Sequence, residues 1–164
     1  MDELEIRDGD TEDIPVIGYL AQIIWPVAYK EILTKDQLDY MLNYIYSPKS
    51  LLQQMTEQNH KFLIAELDEE PVGFASFSKI IEPDIYKLHK LYVRTDIQGK
   101  GLGKALLEEV INHIMPASAL HLNVNRFNKA RFFYEKLGFR ILKEEDVDIG
   151  NGYFMIDYVM EKKF

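Results

Sequence analysis

The stretch Gln98–Lys104, read Gln-Gly-Lys-Gly-Leu-Gly-Lys, limits what this chain can become more than any other part of it. It follows the apolar, strand-like run Leu88–Val93 and opens the helical pattern Leu102–Ile114. A strand that turns through closely spaced glycines into a helix gathers backbone amides at one point. The N–H groups of a first helical turn have no partner inside the helix, and the helix dipole adds partial positive charge there. Glycine permits the positive φ of such a bend and lets an anion come close to the backbone. Lys100 and Lys104 add point charge. The stretch predicts a phosphate site on a strand–turn–helix unit.

Its spacing excludes two common phosphate loops. A P-loop sets four residues between its first glycine and Gly-Lys-Ser/Thr. Here three residues separate Gly99 from Gly103-Lys104, and Ala105 offers magnesium no hydroxyl. A dinucleotide fingerprint puts its third glycine three positions beyond the second, early in a βαβ unit. Gly99, Gly101 and Gly103 alternate instead and lie late in the chain.

Around this turn the hydrophobic period changes several times. Leu4 and Ile6 read as a first strand, and Asp10 or Thr11 as the cap of a helix carrying Ile14, Ile17, Ala21 and Ile24 up to Trp25-Pro26. A second helix is predicted over Asp36–Tyr46, and Ser47-Pro48 starts a short third one through Met55. Phe62–Leu67 and Val72–Ser78 form a hairpin, Tyr86–Val93 is the next strand, and Pro116 ends the helix after the glycine turn. Leu120–Val124 is a strand, Asn128–Leu137 a short helix closed by Gly138, and Phe139–Lys143 and Gly152–Glu161 are two last strands. This order predicts an α+β fold with a mixed sheet, built as a single domain over residues 1–164.

Charge and cysteine content narrow the chemistry. A net charge of −8 argues against a general nucleic-acid binder and suits a cationic substrate such as an amine. No apolar run reaches the length of a membrane span. The acidic opening Met-Asp-Glu-Leu-Glu lacks the regions of a secretory signal, so the expected setting is cytoplasmic. With no cysteine there is no thiolate metal site and no thiol nucleophile, and the four histidines lack metal-ligand spacing. No metal is expected.

Gln-x-x-Gly-x-Gly after a strand ending Leu91-Tyr92-Val93 resembles the pyrophosphate loop of the GNAT superfamily of acetyl-CoA-dependent N-acetyltransferases. A second signature follows: Asn123-Val-Asn125, Asn128, Ala130, then Phe133-Tyr134-Glu-Lys-Leu-Gly-Phe139, similar to that family's closing motif. The resemblance is specific over Phe62–Phe139. It implies a mostly antiparallel sheet of six to seven strands flanked by helices, with a splayed central strand pair that binds CoA. Acetyl-CoA is then the cosubstrate.

Carried over residue by residue, the resemblance assigns Gln98, Gly99, Lys100, Gly101, Leu102, Gly103 and Lys104 to the CoA pyrophosphate. It assigns the backbone of Leu91, Tyr92 and Val93 to the pantetheine arm. Asn123 and Asn128 match asparagines that face this arm, and Asn128 reads equally as a helix cap. Phe133 flanks the arm or fills core. Tyr134 is the candidate general acid that returns a proton to the CoA thiolate; on composition alone it reads as a packed helix-end tyrosine. His89 is the candidate base, with a pKa near working pH. Some family members carry a histidine at that position, and others a glutamate two residues earlier, where this chain has Lys87. A water chain ending at Glu66, Glu82 or Asp84 is the alternative. His60, His113 and His121 read as surface or packing residues.

In resembling proteins the first two helices wall the acceptor. Here they carry Trp25, Tyr29, Tyr40, Tyr44 and Tyr46 with Glu31, Asp36 and Asp39, of which Trp25 and Tyr29 are the candidate substrate contacts. Aromatic rings and carboxylates suit an ammonium, although each of these residues also fits an ordinary amphipathic helix. The expected reaction is direct attack of a primary amine, a small molecule or polyamine, on acetyl-CoA in a ternary complex. Protein N-terminal or lysine acetylation, and a CoA-binding sensor without catalysis, are the alternatives. A homodimer through Phe139–Phe164 is the candidate assembly.

Overall fold

The structure, a computed structural model, describes residues 3–97 and 99–164, so Gln98 lies outside the described residues. Seven strands share one sheet in the order β1-β2-β3-β4-β5-β7-β6. The chain divides into two compact units interleaved in sequence, Met1–Ser78 with Lys90–Met115 and Lys79–His89 with Pro116–Phe164.

The first unit starts with β1 (Leu4–Gly9), which pairs antiparallel with β2 (Lys61–Leu67); β2 pairs in turn with β3 (Glu70–Ile81). Between β1 and β2 run α1 (Ile14–Ala28), α2 (Lys35–Tyr46) and α3 (Pro48–Thr56). Their starts are chemically specified. Asp10 and Asp13 form a reciprocal capping box on the 3-10 turn Thr11–Asp13 that leads into α1, Thr34 accepts from Gln37 N, and Ser47 accepts from Ser50 N ahead of Pro48. α1 runs past Pro26 because the Tyr29 N–H still reaches the Trp25 carbonyl. Asp68 and Glu69, both at positive φ, make the tight β2–β3 turn. Ile17, Leu20, Ile24, Leu51, Ile64 and Phe74 anchor the core of this unit.

β4 (Ile85–Val93) belongs to the second unit up to His89 and to the first from Lys90. In the first unit Gly73 of β3 faces it closely: a Cβ there would stand 2.7 Å from the Tyr92 carbonyl oxygen. Only glycine allows this approach. After β4 comes α4 (Leu102–Ile114), which buries Leu102, Leu106, Leu107, Val110 and Ile114.

In the second unit β4 pairs in parallel with β5 (Ala119–Asn125), but only from Ile85–Ala119 to Leu88–Leu122. The ladder stops there although both strands continue. α5 (Ala130–Lys136) follows, then the antiparallel hairpin of β6 (Arg140–Gly150) and β7 (Tyr153–Lys163), with β7 also paired to β5. Both hairpin strands are longer than their hydrophobic pattern predicts. β6 is an edge strand whose Lys143–Asp148 segment is nearly all charged, so no apolar alternation marks it.

Candidate active site

In the first unit the glycine turn leads directly into α4. Gly99 and Gly101 adopt φ of +94° and +74°, in the left-handed region that glycine tolerates. Gly101 caps α4 without any side-chain hydrogen bond, and the first intrahelical bond is Ala105 N to Gly101 O. The N–H groups of the preceding helical residues therefore lack helical acceptors. A Cβ at either glycine would meet nothing within 4 Å, so the turn is bordered by open space. Leu102 is buried beneath it, while Lys100 and Lys104 lie at the surface.

Arg94, which the sequence reading passed over, fastens the approach to this turn. Its guanidinium donates to both carboxylate oxygens of Asp96 (3.1 and 2.6 Å) and to Glu70 (2.7 Å). The Arg94 N–H also donates to Val72 O at 2.8 Å, tying the end of β4 to β3. An Arg-x-Asp directly after a strand and before a glycine turn was the available signal.

The aromatic residues of the first unit form a packed cluster. Trp25 is 3% exposed, its ring 4.6 Å from Tyr29, 5.4 Å from Tyr46 and 5.6 Å from Tyr92. The Tyr29 and Tyr92 hydroxyls are 2.9 Å apart. Trp25 and Tyr29 thus meet the strand segment Leu91–Val93 through Tyr92. Burial pushes the Tyr46 phenol well above its ordinary pKa. Beside Tyr46, the buried Lys90 donates to Gln54 Oε1 at 2.6 Å, a pair with no trace in sequence spacing.

In the second unit the Asn123 amide donates to Asp157 (3.2 Å) and Glu145 (3.4 Å). Asp157 is 4% exposed, and burial raises its pKa; the Asn123 hydrogen bond and the charges of Lys87 and Arg126 oppose the rise, and Glu145 adds to it. Nearby on the same strands, His121 Nε2 and Glu161 Oε2 are 2.9 Å apart. Burial works to raise the Glu161 carboxyl, but His121, Lys163 and Arg140 outweigh it and hold its pKa low. His121 is therefore a hydrogen-bond partner of Glu161 rather than a solvated surface group. His89 is half-buried at the point where the units divide.

Asn128 lies one residue before Lys129, the N-cap of α5, and makes a turn into the helix: its Oδ1 accepts from Ala130 N at 2.9 Å. The two asparagines of the motif thus serve different partners. Tyr134 is buried in α5, with its ring 5.2 Å from Phe133 and 5.6 Å from Phe139. Among the described residues no group of three or more His, Asp or Glu side chains is placed to hold a metal ion. No described helix is long and apolar enough to cross a membrane.

Residues 30–162 match the family described as "Acetyltransferase (GNAT) domain". A probable N-acetyltransferase of Mycobacterium tuberculosis is 29% identical over 144 residues, covering 84% of this chain and 80% of that protein. A peptidyl-lysine N-acetyltransferase of Salmonella typhimurium is 31% identical over 93 residues, 56% of this chain and 58% of that protein. Among solved structures, the PaiA N-acetyltransferase of Thermoplasma acidophilum in complex with coenzyme A superposes with a TM-score of 0.82. It is 28% identical, with 99% of both chains covered.

Proposed function

The chain belongs to the GNAT acetyltransferase family and is an N-acetyltransferase, and from that premise we propose that its acceptor is a small primary amine or polyamine, acetylated by direct attack on acetyl-CoA in a ternary complex. The observation that carries the cosubstrate reading is the turn at Gly99–Gly101, which opens α4 with uncapped N–H groups and open space beside them. In this reading the pyrophosphate sits on that turn, held by backbone N–H groups from Gln98 to Lys104. The pantetheine arm hydrogen-bonds the backbone of Leu91, Tyr92 and Val93 as an added strand would. Asn123, Asn128 and Phe133 contribute to the same binding. A coenzyme A complex of the Thermoplasma protein supports it.

The chemistry follows from the residues. His89 takes a proton from the incoming ammonium, and the freed nitrogen lone pair attacks the thioester carbonyl carbon. The C–N bond forms, the C–S bond breaks, the departing thiolate takes the Tyr134 phenolic proton, and the acylated nitrogen returns its surplus proton to the phenolate. No cysteine exists to form a cysteinyl intermediate. The acidic net charge of −8 and the aromatic residues Trp25 and Tyr29 favour a cationic acceptor. Acetylation of a protein amine is the second reading, favoured by the name of the Salmonella relative. The reading takes residues 1–164 as one acetyltransferase domain in a cytoplasmic setting. It includes self-association through Phe139–Phe164, where the edge strand β6 exposes Ile141 and Leu142.

Thiol release from acetyl-CoA with a panel of amines and peptides tests the acceptor. Turnover with free amines is expected; turnover with peptides alone would transfer the assignment to protein substrates. Acetyl-CoA binding without thiol release for any acceptor would establish a sensor instead. Tyr134→Phe is expected to lower turnover roughly 100-fold, the usual scale of one general acid, while leaving acetyl-CoA affinity within about twofold. Unchanged turnover would remove Tyr134 from the mechanism.

A further inference from the structure

Lys90 is 6% exposed, and its ammonium nitrogen lies 5.7 Å from the Tyr46 ring centroid and 5.4 Å from that of Phe62. Its hydrogen bond goes to Gln54 Oε1, on a residue that is itself 7% exposed. Burial lowers the amine to a pKa of about 7, with no counter-charge offsetting it among the described residues. A methionine or leucine would fill this space without a desolvation cost. The amine is therefore kept against its own solvation.

What the amine adds is direction. Gln54 donates its side-chain N–H groups to Ile45 O (2.8 Å) and Ser50 Oγ (3.2 Å). One hydrogen-bond chain thus runs from β4 through α3 to the last turn of α2. Tyr46, next along α2, meets Trp25 edge-on, and Trp25 meets Tyr29 and Tyr92. Lys90 contacts both Gln54 and Tyr46 and directly precedes Leu91.

We propose that Lys90 is a positioning residue for the acceptor side of acetyl transfer: through Gln54 it fixes the α2–α3 corner, and with it Trp25 and Tyr29, to the strand whose next residues carry the acetyl-CoA arm. This rests on the reading above that Leu91–Val93 bind the arm and that α1 and α2 wall the acceptor. The groups facing the nitrogen are the Gln54 amide from α3, the Tyr46 phenol from α2 and the Phe62 ring from β2. His60, whose backbone N–H donates to Gln54 O, and Tyr92, further along β4, border the cluster. Of these, Tyr46 is held protonated by burial. The charged form of Lys90 makes the stronger hydrogen bond to Gln54, so the tether weakens as the amine loses its proton.

Trp25 is the only tryptophan, so its emission reports on the wall itself. Wild-type emission is expected to titrate near pH 7. Lys90→Met should abolish that step, and Gln54→Glu should move it up by about one pH unit or more, because a carboxylate favours the ammonium. With spermidine as the acceptor probe at pH 6.5, Lys90→Met should raise the spermidine KM about tenfold, the worth of one charged hydrogen bond. Its kcat and acetyl-CoA affinity should stay within about twofold, and Gln54→Glu, which keeps an acceptor for Lys90 but loses the donors to Ile45 O and Ser50 Oγ, should raise the spermidine KM as well. An emission step that persists in Lys90→Met, as it would if His60 were its source, overturns the proposal. So does a loss shared equally by KM, kcat and acetyl-CoA affinity, or, should Lys90→Met not fold, an unshifted step in Gln54→Glu. Failure of every amine and peptide to release thiol would sink the functional reading alone; the emission titrations would still decide the Lys90 tether.

Discussion

In the first unit Lys90 lies buried against aromatic rings with one amide, Gln54, as its hydrogen-bond partner; in the second, Asp157 lies buried beside one amide, Asn123, but within reach of Lys87, Arg126 and Glu145. Each unit therefore couples an amide to a buried charge, and the surroundings differ. Around Lys90 no charged group among the described residues offsets desolvation, and the pKa falls. Around Asp157 opposing charges return part of the desolvation cost. The difference teaches that the first unit is tuned by packing and the second by its charge network, and that their stabilities should respond to pH in opposite directions.

The strongest way to break this comparison is to disturb the packing that defines the first unit. Gly73→Ala drives a Cβ to 2.7 Å from the Tyr92 carbonyl oxygen, a backbone atom that cannot swing aside. A loss of about 3 kcal/mol is expected, at the upper end for overpacking, read as a lower urea midpoint. The cluster of Trp25, Tyr29 and Tyr92 should loosen with it, seen as a shift in Trp25 emission. Retained stability would mean that β3 and β4 part easily and that the first unit is not tightly packed there.

Lys90→Met sharpens the comparison from the opposite side. The lowered pKa means that the unfolded chain binds more protons than the folded one between about pH 7 and the ordinary lysine value of 10.5. Wild-type stability therefore rises with pH across that window, and the burial penalty is fully present below it. A shift of this size is worth on the order of 5 kcal/mol, from which stranding the Gln54 carbonyl subtracts about 1–3 kcal/mol. The variant should be about 2 kcal/mol more stable than wild type at pH 6, with the advantage gone by about pH 9. Urea melts of both proteins at these pH values measure it, and a destabilised variant at pH 6 would refute the packing account.

Much of this arrangement was legible in the sequence, and the exceptions share a cause. The glycine turn, α4 and the motif around Tyr134 are local patterns in which each residue's role depends on close neighbours in the chain. β2, β3 and the three early helices were readable from period and caps. Lys90 and Gln54 were not, because they stand 36 residues apart and meet only through tertiary packing. Gly73 looked like any strand glycine until β4 lay against it. Trp25 and Tyr29 read as cleft residues from their chemistry, and the structure adds that Trp25 is packed among rings. Most of β6 was hidden because an edge strand can be built of charged residues when its partner supplies the ladder. His121 gave no signal because its partner Glu161 lies on another strand.

The second unit offers the smallest effect and the cleanest sign. The Asp157 pKa is raised above its unfolded value, so between the two the folded chain binds more protons than the unfolded one. The stability this contributes is fully present below the ordinary aspartate value and is lost as pH rises through the folded one. Asp157→Asn removes the titration while keeping an oxygen to accept from Asn123. Relative to wild type, the variant should therefore gain stability on going from pH 4 to pH 7. The gain is small because Lys87 and Arg126 already offset part of the burial cost in wild type. Urea midpoints at the two pH values decide the sign. A variant that loses ground toward neutral pH would mean that the ionised Asp157 is net stabilised by its neighbours. The charge network would then do more than offset burial, and the contrast with Lys90 would be wider than the geometry implies.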